Sequence, residues 1–293
     1  MTMWGHQLDP DLKRAAMLGL LIGVWVGGVG LAAFVIVVRG ADFGVDSHAY
    51  WVAGHSPHPY LGALHHVDVF LYSPLFAQIV HPLSLLPWVV FEWLWVAIEG
   101  LSCLWLTRSL PVRWRIPLLL LCVPEVVVGN IHGLLGVALV LSLTRPAAAT
   151  FLLLTKVAPA APLLLWFAVR GEWRKLTSGA VVALGIVAVS VALGRGMWIE
   201  WARFLVTHRA DNPAALGWLA VACAVAVIAA RQGWAWLLPV AVWLALPNGF
   251  GASAVPVLLA SLRLGLLGDF TNRKGLALAG RNETPAPEAT IPV

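Results

Sequence analysis

The chain of 293 residues is 60% hydrophobic and only 11% charged, with a mean hydropathy of +0.85. Soluble domains carry about 25% charged residues, so this composition excludes an ordinary water-soluble enzyme and predicts a polytopic membrane protein. The net charge of +5 does not indicate nucleic-acid binding, because the Lys and Arg residues lie mainly in short loops between apolar segments, as topogenic charges do.

Ten apolar segments are candidate transmembrane helices, and they predict an all-α bundle of about ten spans in one domain, residues 17–270. The segments cover residues 17–38, 71–87, 88–107, 116–128, 131–144, 147–169, 176–194, 214–231, 234–247 and 251–268. Those at 116–128 and 131–144 are either half-helices that meet at Gly129 and Asn130 or one long kinked helix. The Pro-containing tail, residues 271–293, is predicted to be disordered.

The positions of basic residues predict the orientation of the bundle. With ten spans, three basic clusters fall in the cytoplasm together with the N-terminal residues 1–16, and residues 39–70 and 195–213 face outside. The arginines between 108 and 115 also fall outside, against the rule. The three clusters are Lys13 with Arg14, Arg170 with Arg174 and Lys175, and Arg273 with Lys274.

The loop at residues 39–70 concentrates polar chemistry in a chain that has few charges. Asp42 and Asp46 are four residues apart, so on a helix they share one face, and two like charges that close raise one of the two pKa values. A carboxylate at a membrane surface can serve as a general base. Either aspartate is a candidate for that role, and both could instead only cap or solvate the end of a helix.

Histidines crowd the same loop, at positions 48, 55, 58, 65 and 66. A zinc site could be drawn from His55 and His58 with Asp68 or Asp46. The spacing contains no second recognisable pair of ligands, so no metal or other cofactor is predicted. His48, two residues after Asp46, is a candidate substrate contact.

Lys156 lies inside the apolar segment 147–169, where an ionisable group is costly and is a functional hypothesis by default. It either neutralises a lipid phosphate or forms a buried ion pair with Glu99 or Glu125 that fixes helix packing. Pro159 and Pro162 are predicted to kink this helix and to open a cavity beside Lys156. A second feature, the amphipathic segment 198–204, is predicted to lie on the outer surface, either covering the site or only seating the loop.

Five short motifs follow one another along the chain, in the order Asp46-x-x-x-Tyr50-Trp51-x-x-Gly54, Pro59-Tyr60, Phe70-Leu71-Tyr72-Ser73-Pro74-Leu75-Phe76, Gly129-Asn130-x-His132 and Lys156-x-x-Pro159. Over residues 40–176 the chain resembles glycosyltransferase family 87, which includes polyprenyl-phosphate-mannose-dependent mannosyltransferases. It departs from the family pattern at Ser73, where the family has Pro. It departs again at Asn130 and His132, where a Gln/Asn pair is frequent.

The resemblance implies a GT-C architecture whose active site opens on the outer face, beneath the loop between the first two helices. It implies inverting transfer of a sugar, mannose in the named relatives, from a polyprenyl-phosphate donor to a lipid or cell-envelope glycan, in a bacterial plasma membrane. Asp46 is the preferred base, with Asp42 the alternative. The implied substrate-binding residues are His48, Tyr50, Trp51, Tyr60, Tyr72, Asn130, His132 and Lys156.

Two functions of other classes stay open at this point. Embedded charges and a broken helix are also features of a transporter or flippase, and the short chain is compatible with a non-catalytic assembly subunit. The aromatic residues Trp51, Tyr60 and Tyr72 also have an alternative role, because such side chains commonly anchor a protein at the membrane interface.

Overall fold

A computed structural model of the protein describes residues 9–38, 43–61, 68–208, 214–246 and 254–265, and in these ranges the fold is helical without any strand. The helices are α1 (Pro10–Val38), α2 (Val45–His55), α3 (Pro74–Ser84), α4 (Trp88–Thr107), α5 (Val112–Leu121), α6 (Val123–Val128), α7 (His132–Ser142), α8 (Ala149–Thr155), α9 (Val157–Val169), α10 (Trp173–His208), α11 (Ala214–Gln232), α12 (Leu238–Leu244) and α13 (Val255–Gly265).

Among the described helices, four are long and apolar enough to cross a membrane, namely α1, α4, α10 and α11. The other apolar segments form shorter helices. For example, α3 has 11 residues and is therefore about 16 Å long, roughly half the thickness of a hydrocarbon core. The all-helical membrane class is thus confirmed, while the count of ten spans stays a prediction.

The helices pack against one another around a shared buried core. Helix α2 packs against α3 and α4, and α4 packs against α7. Helix α9 lies against α11 and α12, while α10 crosses α3 and α8. The main core contains Tyr50, Phe76, Trp95, Leu139 and Trp166, which places α2 on the same buried aromatic layer as α3 and α4.

The first irregularity lies between α6 and α7, where the predicted segments 116–128 and 131–144 meet. Gly129 has φ of +79°, and a Cβ at this position would come within 2.3 Å of Ser47 Oγ on α2. Only glycine combines this left-handed conformation with such a close approach. Segments 116–128 and 131–144 are therefore not one kinked helix. The first comprises the end of α5 and all of α6, the second contains α7, and Ser47 of α2 lies against the turn between α6 and α7.

The second break separates α8 from α9 at Lys156, whose backbone is extended at φ −135° and ψ 98°. Pro159 has no N–H for the carbonyl four residues earlier, and its ring would clash with that carbonyl in a continuous helix. The predicted kink is therefore a full interruption: the Lys156 N–H makes the last hydrogen bond of α8, to the Leu152 carbonyl over 3.0 Å, and α9 begins at the next residue.

The third irregularity lies in α10, which continues well beyond the predicted span 176–194. Gly194 has non-helical dihedrals, so α10 consists of two segments joined at a kink. A Cβ at Gly194 would lie 2.8 Å from Gln78 Nε2 on α3, so a larger residue would displace the Gln78 amide. The predicted amphipathic segment 198–204 is the second part of this helix.

Candidate active site

A cavity of about 480 Å³ lies where α2, the two helix breaks and the second part of α10 meet. Six of the predicted site residues line it, namely Asp46, Tyr50, Tyr72, Asn130, His132 and Lys156. The remaining lining residues are Ala49, Val69, Leu71, Thr155, Val157, Ala158, Pro159, Trp201, Leu205 and Leu246. Residues that lie far apart in the sequence thus share one cavity, which has a polar wall and an apolar wall.

Asp46 lies in the first turn of α2, and Asn130 holds its carboxylate in place. Asn130 Nδ2 donates a hydrogen bond of 2.6 Å to Asp46 Oδ2. The amide is oriented by its other end, because Asn130 Oδ1 accepts hydrogen bonds from the Ile131 N–H at 2.8 Å and from the Tyr72 hydroxyl at 3.4 Å. Asn130 therefore presents its donor, not its acceptor, to the carboxylate.

The environment of Asp46 favours a usable base. Helix α2 is not one of the candidate membrane spans. Burial raises the pKa of the Asp46 carboxyl above its ordinary value, while the charge of Lys156 and the hydrogen bond from Asn130 lower it. A carboxylate with a raised pKa is more basic than one in water, and it is still ionised when a nearby cation and donor stabilise it.

Helix α2 is fixed at its start, which fixes the position of Asp46. Gly44, with φ of +72°, donates its N–H to the Val127 carbonyl at the end of α6 over 2.8 Å. Ser47 forms a hydrogen bond with the buried Glu92 of α4. Two neighbouring helices thus hold the first turn that carries the aspartate.

A chain of three side chains begins in the cavity at Lys156 and leads to a buried carboxylate, and we call it the Lys156–His132–Glu125 relay. Lys156 Nζ donates to His132 Nε2 over 2.9 Å, and His132 Nδ1 donates to the Glu125 carboxylate. His132 and Glu125 are both buried. Because the Nε2 atom accepts while Nδ1 donates, this arrangement corresponds to a neutral imidazole.

The relay bears on one of the two alternatives for Lys156, the direct ion pair with Glu99 or Glu125. Lys156 reaches Glu125 only through His132, and Glu99 accepts the Gly133 N–H at 2.8 Å. The other alternative, a lipid phosphate, stays a prediction. Lys156 also lies 5.4 Å from the centre of the Tyr72 ring, a cation–π contact that steers the ammonium toward the cavity.

Tyr50 and Tyr72 form the floor of the cavity. Their hydroxyls are hydrogen-bonded at 2.9 Å, and Tyr50 packs edge-on against Phe76 and Trp95 at 5.2 Å between ring centres. Trp95 Nε1 also donates to the Gly129 carbonyl over 2.7 Å. The aromatic layer therefore connects the floor to the turn that carries Asn130.

Three predicted substrate contacts, His48, Trp51 and Tyr60, do not line the cavity. His48 donates from Nδ1 to Asp68 over 2.6 Å, and Trp51 donates from Nε1 to the Leu86 carbonyl over 3.0 Å. The Tyr60 hydroxyl donates to the Tyr72 carbonyl over 2.7 Å. These contacts brace the loop, so the three residues support the cavity from behind. Asp42, His65 and His66 lie outside the described residues.

The zinc site drawn from spacing is not assembled. His55 donates to the Trp51 carbonyl over 2.9 Å, and His58 pairs with Glu200 of α10 over 2.5 Å. Within the ranges that the structure describes, no group of three His, Cys, Asp or Glu side chains could hold a metal ion. His58 instead connects the segment after α2 to the second part of α10.

Sequence reasoning missed part of the cavity wall. Trp201 and Leu205 line the cavity from beyond the α10 kink, so the amphipathic segment covers the site as well as seating the loop. Its aromatic and apolar pattern was the available signal. No sequence signal marked Leu246 or Thr155 as a cavity residue, because an ordinary apolar or hydroxyl residue in a hydrophobic segment has no distinguishing spacing.

The fold and site together define an all-helical membrane protein with a carboxylate and a cation facing one enclosed space. Residues 70–271 match glycosyltransferase family 87, which is well over half of the chain, and the chain belongs to that family. The protein is thus a membrane glycosyltransferase. The matched region includes Tyr72, Asn130, His132 and Lys156 and begins after Asp46. No curated protein and no solved structure matches the chain.

Proposed function

We propose that the protein transfers a hexose from a polyprenyl-phosphate donor to an acceptor hydroxyl, with inversion at the anomeric carbon. The observation that carries this proposal is the single cavity in which the Asp46 carboxylate and the Lys156 ammonium both lie. Such a site supplies a base for the attacking alcohol and a cation for a leaving phosphate. These are the two requirements of glycosyl transfer from a sugar phosphate.

Asp46 acts on the acceptor. As the acceptor oxygen attacks the anomeric carbon, the Asp46 carboxylate takes the hydroxyl proton, a step that general bases accelerate about 10²- to 10⁴-fold. Asn130 holds the carboxylate through the 2.6 Å hydrogen bond, so the base is aligned before substrate arrives. Asp42 remains the alternative base.

The relay acts on the donor. Lys156 donates to a phosphate oxygen, and His132 Nε2 then takes a proton from solvent and becomes a second donor; this proton returns to solvent when the phosphate leaves. Glu125, paired with His132 Nδ1, stabilises the resulting imidazolium. Negative charge that develops on the phosphate as the glycosidic bond breaks is thus met by cations inside a cavity of low dielectric constant.

The reaction balances without a further reactant. The bond from the anomeric carbon to the acceptor oxygen forms, and the bond from that carbon to the phosphate oxygen breaks with its electron pair on the phosphate. The acceptor proton passes to Asp46 and then to solvent. The products are the glycosylated acceptor and polyprenyl phosphate.

The geometry of α10 supports an outward-facing site. Arg170 and Lys175 flank the start of this helix and pair with Glu172 over 2.9 and 2.7 Å. Trp201 and Leu205 reach the cavity from its far end. About 30 Å of helix separates the basic loop from the kink at Gly194, so a cytoplasmic basic loop puts the cavity outside. In a bacterial plasma membrane, that side meets cell-envelope acceptors.

The resemblance of the loop motifs to mannosyltransferases favours mannose as the sugar and a lipid or glycan as the acceptor. The test uses the full-length protein in liposomes with acceptor lipids and two labelled donors, a mannosyl-phosphoryl-polyprenol and a nucleotide-mannose. We expect labelled acceptor from the first donor only. Transfer from the nucleotide donor, or movement of the lipid donor between leaflets without any transfer, would contradict the proposal. The second of these outcomes is the one that a flippase would give.

A further inference from the structure

An apolar groove runs along the outside of the bundle between α3, α8 and α10. It consists of two adjoining hollows, one of about 220 Å³ beside α8 and one of about 370 Å³ beside α10. Leu75, Ile79 and Ile186 line both hollows, so the two are continuous. We call this feature the α3–α10 groove.

The inner end of the groove meets the active-site cavity. Thr155 lines both the hollow beside α8 and the cavity, and the next residue, Lys156, lines the cavity. The groove and the cavity thus share one wall residue, which directly precedes the cation of the proposed phosphate site at the end of α8.

The outer end of the groove opens sideways on a membrane-spanning surface. Ile79, Val189 and Leu193 at its rim are 52%, 62% and 75% exposed, and α10 is one of the candidate spans. The polar side chains Gln78 and Ser190 on its wall satisfy each other, because Ser190 Oγ donates to Gln78 Oε1 over 2.6 Å and Gln78 Nε2 donates to the Ser190 carbonyl over 3.0 Å. Neither side chain therefore needs a polar ligand.

A ligand that fits this arrangement has an anionic head at Lys156 and a long hydrocarbon tail that leaves along the groove. We infer that the α3–α10 groove holds the isoprenoid chain of the donor and guides its phosphate to Lys156. This inference rests on the proposed function and specifies which surface recognises the lipid part of the substrate.

The groove acts on orientation more than on affinity. Lipid tails are as apolar as the groove wall, so moving the chain from bilayer to groove gains little hydrophobic free energy. Its effect is to align the donor, a contribution that matters for reaction geometry. Blocking the groove should therefore lower kcat/KM for donors whose isoprenoid chain is long enough to enter it. It should leave kcat/KM unchanged for donors with a very short chain.

The test replaces Ile186, which lines both hollows, with Trp. Gly185→Phe is a second variant, since a Cβ at Gly185 meets nothing within 4 Å and the side chain enters the hollow beside α10. Leu184→Trp is the matched control, because Leu184 is 69% exposed on the same helix and does not line the groove. Each full-length protein is assayed in liposomes with a long-chain polyprenyl-phosphate sugar and with its two-isoprene analogue.

We expect Ile186→Trp and Gly185→Phe to lower kcat/KM for the long-chain donor roughly tenfold or more, with the two-isoprene donor changed by less than about twofold. Equal effects on both donors, or no effect on either, would overturn the groove assignment. Bulk lipid or a second copy of the chain in the groove would give such a result. If wild-type protein transfers sugar from neither donor, the proposed function fails instead, so the two failures are distinguishable.

Discussion

Substitution of Asn130 is the most informative perturbation of the site, because its side-chain amide donates a hydrogen bond directly to the proposed base. Asn130→Ala removes the donor that lies 2.6 Å from Asp46 Oδ2 and leaves the carboxylate in place. A hydrogen bond to a charged group contributes about 1.5–3 kcal/mol, which corresponds to about 10- to 150-fold in rate. Asp46 is only partly buried, so we expect kcat/KM to fall by an amount in the lower half of that range.

The pH dependence of the same variant gives a readout that simple damage to the fold would not produce. The hydrogen bond from Asn130 lowers the pKa of Asp46, so its loss raises that pKa further above the ordinary value. Since Asp46 works only when ionised, activity of Asn130→Ala should fall at a higher pH than wild type as the solution is acidified. The assay is the pH profile of kcat/KM for transfer in liposomes.

A double-mutant cycle supplies the control. If Asn130 acts through Asp46, adding Asn130→Ala to Asp46→Asn should cause little further loss. An unchanged acid limb in Asn130→Ala, or losses that add fully in the double variant, would refute the assignment of Asn130 as the residue that positions the base.

Two further predictions concern the turn and the relay. Gly129→Ala places a side chain at φ of +79° and 2.3 Å from Ser47 Oγ, so we expect a loss of at least about 1–2 kcal/mol in stability and a lower thermal midpoint. Gly30→Ala, where a Cβ meets nothing within 4 Å, should not lower the midpoint. Glu125→Gln keeps an acceptor for His132 but removes its charge, and we expect kcat to fall roughly tenfold with the acceptor KM unchanged. An unaltered kcat would show that the relay does not stabilise the charge on the leaving phosphate.

Composition and hydropathy were sufficient to predict the class of fold. The segment at 214–231 corresponds closely to α11, because a long uninterrupted apolar segment in a membrane satisfies its backbone hydrogen bonds by forming a helix. The segments at 71–87 and 147–169 were also drawn as spans, yet they form short or broken helices. Hydropathy does not reveal where tertiary packing makes a short helix stable, and the prolines gave only the approximate place of the interruption.

The polar half of the cavity could be predicted from motifs, since Asp46, Asn130, His132 and Lys156 all line it. His48, Trp51 and Tyr60 lie outside the cavity for a shared reason. Each side chain forms its hydrogen bond with the segment 68–72 or with the α3–α4 connection, and such partners cannot be read from the sequence. The link from Lys156 to Glu125 through His132 was also beyond sequence reasoning, because 24 residues separate the lysine from the histidine.

The most direct test of the account is the single-turnover transfer rate of Asp46→Asn in liposomes with a saturating polyprenyl-phosphate sugar. The introduced amide oxygen can still accept the hydrogen bond from Asn130, so the change removes basicity and preserves the local structure. Asp68→Asn serves as the matched control, since Asp68 is a carboxylate of the same loop that pairs with His48 outside the cavity. The account predicts a rate about 10²- to 10⁴-fold lower for Asp46→Asn and a near-normal rate for Asp68→Asn. Transfer by Asp46→Asn at the wild-type rate would contradict it.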